Sequence, residues 1–180
     1  MAEPAVKELI RNERNVEIIW RAYELRPAPV PTLPPDGEYL HRAWNNSVYP
    51  LAEKLGVTMR LPPVQPRSRL AHEAAHWAQA QGRFEEMNQA IFRAFFERGE
   101  NIGEIEVLAS LASKLDLDVD SLRRALETGE FKESVVADER EAESLGLNGV
   151  PAFVANRKAA LSGVQTPENL RKLVERVRQS

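Results

Sequence analysis

The chain has 180 residues, of which 43% are hydrophobic and 28% charged, with a formal net charge of -3 and no cysteine. This is the composition of a globular domain with a sizeable core, not of a disordered chain, and the slightly acidic balance leaves no basic footprint for nucleic acid. Without cysteine the sequence can form no disulfide, thiolate nucleophile, iron–sulfur cluster or cysteine zinc site, and no apolar run approaches the roughly 20 residues of a bilayer span.

The opening M-A-E-P-A-V-K-E-L-I lacks the apolar stretch of a signal peptide, so the expected location is the cytoplasm and no membrane partner is expected. Ala5 to Arg14 predicts a short helix, with Pro4 tolerable at its first position. Val16 to Tyr23, V-E-I-I-W-R-A-Y, is rich in β-branched and aromatic residues and predicts a strand. Five prolines between Arg26 and Gly37 (Pro27, Pro29, Pro31, Pro34, Pro35) require an extended loop, since proline fixes φ and donates no hydrogen bond. An amphipathic helix follows from about Glu38 to Leu55, to be kinked or divided by Pro50 and stopped at Gly56. After the turn Leu61 to Pro66, Ser68 is a candidate N-cap for the next helix.

Phe84, Met87, Ile91, Ala94 and Phe95 recur at helical spacing, and Ile105, Leu108, Leu111 and Ala112 repeat the stripe over Glu104 to Leu115. Asp120 is placed to cap Ser121 to Glu127, with Gly129 just past the end. Phe131 to Leu145 predicts another helix, stopped by Gly146. The texture then changes. A turn at Leu147 to Gly149 leads into a strand through Phe153 and Val154, an Asn156-Arg157-Lys158 turn into a second strand, Ala159 to Gly163, and Thr166 caps a last helix from Pro167 to Arg178.

Within the helix after Ser68, His72-Glu73-Ala74-Ala75-His76 spells H-E-x-x-H, the pattern in which two histidines hold zinc and the glutamate acts as base. On a helical wheel Leu70, Ala71, Ala74, Trp77 and Ala78 gather on one side. His72 and His76 lie opposite, on a polar face with Arg69, Gln79 and Arg83. The guanidinium groups oppose a divalent cation. Catalytic zinc needs a third protein ligand, yet no histidine follows His76, and His41 lies upstream on another helix. The expectation is two solvated helix-face histidines and no metal site, with a zinc hydrolase as the weakest functional alternative.

The run Leu145 to Val154, L-G-L-N-G-V-P-A-F-V, is more specific, as is Ala160 to Glu168, A-L-S-G-V-Q-T-P-E. Together with Trp20 to Pro27, Arg69 to His72 and Phe92 to Phe96, they resemble the DsbA-like thioredoxin superfamily in its FrnE-like branch. Kappa-class glutathione transferases and 2-hydroxychromene-2-carboxylate isomerases share the Gly-Val-Pro turn. They continue differently from Leu161-Ser162-Gly163-Val164-Gln165. The resemblance implies an α/β, thioredoxin-like fold with a large all-helical insertion: residues 1–36 and 146–180 form the thioredoxin-like part, 37–145 the insertion. It implies that Pro151 matches the family's cis-proline, so that Val150 and Pro151 bind an extended peptide or protein substrate through main-chain hydrogen bonds.

The family's activity is thiol–disulfide exchange at Cys-x-x-Cys, with the attacking cysteine at the N-terminus of the first helix, where the helix dipole lowers its pKa. Here that helix matches Ala5 to Arg14, and the strand and dithiol before it have no counterpart. The resemblance thus implies a disulfide-oxidoreductase domain that is redox-inactive as given, with no catalytic residue and no cofactor. A non-redox, glutathione-dependent isomerase or transferase and a peptide-binding module are the alternatives. The family's first strand is central, so its loss strands the backbone groups of both neighbours. A longer chain, direct closure of the flanking strands, or a second copy in a homodimer would each resolve this.

Overall fold

The computed structural model describes residues 1–179. Nine α-helices and one two-stranded sheet are found among them. In chain order they are α1 (Glu3–Asn12), α2 (Glu38–Ala43), α3 (Tyr49–Lys54), α4 (Arg69–Ala80), α5 (Phe84–Phe96), α6 (Ile105–Lys114), α7 (Val119–Thr128), α8 (Lys132–Ser144), β1 (Ala152–Ala155), β2 (Ala159–Ser162) and α9 (Pro167–Arg178). No helix among the described residues is long and apolar enough to cross a membrane.

The helices from α4 to α7 enclose the larger core. Alanines at 71, 74, 75 and 78 let α4 approach α5, α7 and α8 closely, and Trp77, Met87, Ile91, Leu108, Leu111 and Leu122 fill the space between. The proline-rich turn is laid over this bundle. A Cβ on Gly99, whose φ is +69°, would lie 2.7 Å from Cδ of Pro63, so only glycine serves there.

The predicted helix from Glu38 to Leu55 is divided, for a definite reason. Pro50 has no N–H and its ring would meet the carbonyl of Asn46. Residues Trp44–Val48 widen into a π turn ahead of it, and Tyr49 N–H donates to the Trp44 carbonyl.

Three local expectations are corrected. Ser68 precedes α4, but its side chain makes no capping bond, because its backbone is already helical (φ -87°, ψ -1°) and not in the extended conformation from which a cap reaches forward. Asp118, not Asp120, caps α7. It sits at φ -70°, ψ 97° and its carboxylate accepts from Ser121 N–H, while Gly129 closes the other end at φ +68°. The third concerns Val16 to Tyr23, which is extended but joins no ladder. Exposure alternates along it with a period of two, Val16, Ile18, Trp20 and Ala22 turning inward. The alternation of burial is that of a strand. What fails is pairing: no other segment among the described residues hydrogen-bonds to the main chain of residues 16–21.

β1 and β2 are antiparallel with Ala152 opposite Ser162 and Ala155 opposite Ala159. Asn156 and Arg157, both at positive φ (47° and 58°), make the tight turn that joins them. Thr166 accepts from Asn169 N–H and opens α9 as the sequence indicates. α9 packs on α1 and on the sheet. A smaller core forms there from Ala5, Val6, Leu9 and Leu170, with Ile18, Trp20 and Phe153 against it.

Candidate functional site

Val150 and Pro151 stand where the chain enters β1, and the peptide bond between them is cis. Pro151 C=O is used internally, accepting from Gly163 N–H at 2.8 Å. Val150 is half exposed. Its own N–H and C=O take part in no hydrogen bond among the described residues. A main-chain donor and acceptor on an exposed residue beside an open strand edge are what an extended peptide needs for register.

The second feature is the polar layer between α4, α8 and residues 21–24. Asp138, buried on α8, accepts from Ala22 N–H at 2.9 Å and from the Arg21 guanidinium at 3.0 Å, and lies 3.1 Å from His76 Nε2. Glu139 accepts from Glu24 N–H. Arg69 reaches both Glu24, at 2.5 Å, and Glu139, at 3.2 Å. His72 lies against the Tyr23 backbone. Carboxylates of α8 therefore satisfy the N–H groups of Ala22 and Glu24 as a neighbouring strand would.

The H-E-x-x-H residues are placed by this layer, which corrects the expectation that both histidines are solvated. His72 is partly buried against the Tyr23 backbone, and His76 retains only 15% side-chain exposure against Asp138. A wheel reports only the face of one helix; here α8 and residues 21–24 cover the polar face as well. Glu73 is itself buried, with Oε2 unpartnered. Burial raises its pKa, opposed by Arg69 and Lys132. Burial likewise lowers the pKa of His72, against the field of Glu24. For Asp138 burial would raise the pKa, but the His76 and Ala22 hydrogen bonds and the Arg21 charge outweigh it and hold the carboxyl low. No group of three or more His, Asp or Glu side chains among the described residues is arranged to hold a metal ion.

Sequence reasoning missed Asp138 and Glu139. Their only signal was weak: acidic residues inside a helix whose other buried residue is Val135.

A cavity of about 550 Å³ is lined by residues 16–20, by α1, by Gln79 of α4 and by the start of α5. Gln89 of α5 donates to Glu3 of α1 at 3.1 Å.

An open-sided thioredoxin-like unit, built of α1, α9 and a β-hairpin and carrying a helical bundle in its middle, is the class this fold defines. The chain belongs to the DSBA-like thioredoxin domain family, whose model matches residues 1–175. It is similar to the uncharacterized protein YwbO of Bacillus subtilis (strain 168), with 35% identity over 158 residues, 86% of this chain and 78% of that one. Among solved structures it resembles a probable DsbA oxidoreductase from Streptomyces coelicolor, with a TM-score of 0.78 and 26% identity over 99% of this chain and 82% of the other. A 2-hydroxychromene-2-carboxylate isomerase shares the fold at TM-score 0.77 and 17% identity, over 99% and 89% of the two chains.

Proposed function

We propose that this chain is a DsbA-like domain that binds extended polypeptide at Val150 and Pro151 without thiol–disulfide chemistry of its own. The observation that carries this reading is the half-exposed Val150, whose main-chain N–H and C=O are free of partners where β1 begins. The similarity to a probable DsbA oxidoreductase supports a polypeptide as the ligand. Disulfide exchange requires a thiolate, and none of the 180 residues is cysteine.

The test is a pair of measurements on the 180-residue protein. Reduction of insulin disulfides by dithiothreitol should proceed no faster with the protein than without it. An unfolded, carboxymethylated polypeptide should bind saturably, and Val150→Asp should weaken that binding by about tenfold, or about 1.4 kcal/mol. The side chain is half exposed, so the substitution leaves the fold intact. Catalysed reduction, or binding that Val150→Asp leaves unchanged, would overturn the reading.

A further inference from the structure

Of the nine asparagines in the chain, only Asn148 is followed by glycine. The pair lies between α8 and β1, outside any helix or strand, with Asn148 exposed and Gly149 partly so. Neither the Asn148 side-chain amide nor the Gly149 N–H has a hydrogen-bond partner among the described residues. Gly149 has no side chain to shield its nitrogen, and even a Cβ built there would meet nothing within 4 Å. Neither hydrogen bonding nor packing holds that nitrogen away from Cγ of the preceding side chain.

Comparable pairs elsewhere are restrained. Asp36-Gly37 is the one aspartate–glycine pair in the sequence. There Gly37 N–H donates to the Pro34 carbonyl at 3.0 Å, and a Cβ on Gly37 would lie 2.9 Å from Cγ of Pro34. Asn46-Ser47 lies inside the π turn Trp44–Val48. Around Asn148 it is the flanks that are fixed. Leu147 N–H donates to the Ala142 carbonyl at 3.0 Å, and Gly163 N–H to the Pro151 carbonyl at 2.8 Å. A change in backbone length at Asn148 must therefore be absorbed by residues 148–150.

We infer that Asn148 is a site of spontaneous deamidation, converted through a succinimide to isoaspartate and aspartate, and that isoaspartate displaces the chain entering β1. The Gly149 nitrogen loses its proton and attacks Cγ of Asn148. An N–Cγ bond forms, the Cγ–Nδ2 bond breaks, and Nδ2 takes up the proton and leaves as ammonia. Water then opens the ring. Attack at Cγ restores the original peptide bond beside an aspartate side chain. Attack at the main-chain carbonyl breaks its bond to nitrogen and gives isoaspartate, whose chain runs on through Cβ and Cγ. Water is the one co-reactant, and nothing is oxidised or reduced. Either product makes the chain one unit more negative than its formal -3. Isoaspartate also adds one backbone carbon between the two fixed flanks. The inference stands apart from peptide binding at Val150, and its test uses no peptide.

The experiment incubates the 180-residue protein at mildly alkaline and mildly acidic pH, both native and unfolded in urea. Trypsin then releases the fragment from Glu141 to Arg157, which holds Asn148. Its gain in mass on exchange of amide for carboxyl is followed, and isoaspartate is counted by enzymatic carboxyl methylation. Native protein should convert at Asn148 within about tenfold of the rate in urea, and no other asparagine of the native protein should reach about a tenth of that rate. Conversion should be faster at alkaline pH, where more of the Gly149 N–H is ionised. Gly149→Ala, for which there is space, should slow it at least about tenfold, and Asn148→Gln should remove it. In the isoaspartyl protein the Gly163 amide should exchange its hydrogen at least about fivefold faster than in fresh protein, and in Asn148→Gln incubated alike it should not. Native conversion more than about tenfold slower than in urea overturns the inference, as does faster conversion at another asparagine; neither comparison needs a variant. A Gly163 amide as protected in the isoaspartyl protein as before overturns the displacement of β1.

Discussion

Asp138 does for Ala22 what a neighbouring strand would do, and its charge is the means. A carboxylate held low by hydrogen bonds stabilises the fold above its unfolded pKa of about 3.9, and that contribution is lost as pH falls through the still lower folded value. Asp138→Asn keeps an acceptor for Ala22 but gives up the charge facing Arg21 and His76. At neutral pH it should cost about 1–3 kcal/mol in urea unfolding; a change within error would mean the layer is slack. His72 works in the opposite sense at milder pH. Its folded pKa is lowered, so only the unfolded chain takes up the proton as pH drops below about 6.5, and stability falls with it. Glu73 and Glu139, both raised, lean the other way as pH falls further. The clean readout is therefore a difference: between about pH 8 and pH 5.5 the urea midpoint of wild type should drop more than that of His72→Gln, which keeps a polar side chain beside Tyr23 but cannot titrate. Parallel curves would show that His72 is not desolvated. The histidines were visible in the sequence through their spacing. Their environment was not, because it is supplied by residues some 50 and 60–70 positions away, and a helix pattern carries no record of what another helix lays over it.

At the scale of elements, what the sequence made legible followed from local chemistry. Thr166-Pro167 marked the start of α9, Gly129 the end of α7, and the turn at Asn156 the hairpin, because each rests on dihedral preferences within a few residues. Where two local signals competed, the structure decided. Asp118 and Asp120 both precede an apolar stripe, and only Asp118 is extended enough to reach Ser121 N–H. Asp118→Ala should accordingly cost about 1 kcal/mol. Asp120→Ala, inside the first turn and interacting only with the helix dipole, should cost about half that or less. Equal losses in thermal unfolding would place the helix start elsewhere. The segment from Val16 to Tyr23 shows the limit of such reading. Period-two patterning correctly fixed its inward face, but a strand is a property of a pair, and the partner is not among the residues that do the patterning.

Across the whole molecule, apolar burial is unequal. The helical bundle encloses Leu108, Met87 and Leu122 completely, whereas the cluster around α1 and α9 buries the smaller set Ala5, Val6, Leu9 and Leu170, with Leu173 buried nearby on α9. Fully burying a leucine contributes about 1.5–3 kcal/mol, so the bundle holds most of the stabilising surface. The smaller core must in addition carry an extended segment whose edge is unpaired and a sheet of only two strands, which is marginal without packing. Opening of α1, residues 16–21, β1, β2 and α9 should thus require less free energy than opening of α4 to α7. In native-state hydrogen exchange, amides of α1 and α9 should exchange through an opening well below the global unfolding energy, and those of α4, α5 and α6 only through global unfolding. Mutation sharpens the contrast. Leu108→Ala, deep in the bundle, should lower global stability by about 3–5 kcal/mol and accelerate exchange everywhere. Leu170→Ala should speed exchange in α1, α9 and the hairpin while leaving α4 to α6 nearly unchanged. If Leu170→Ala instead shifts every amide by the same free energy, the two cores form one cooperative unit, and the proposed division at residues 36 and 146 has no energetic meaning.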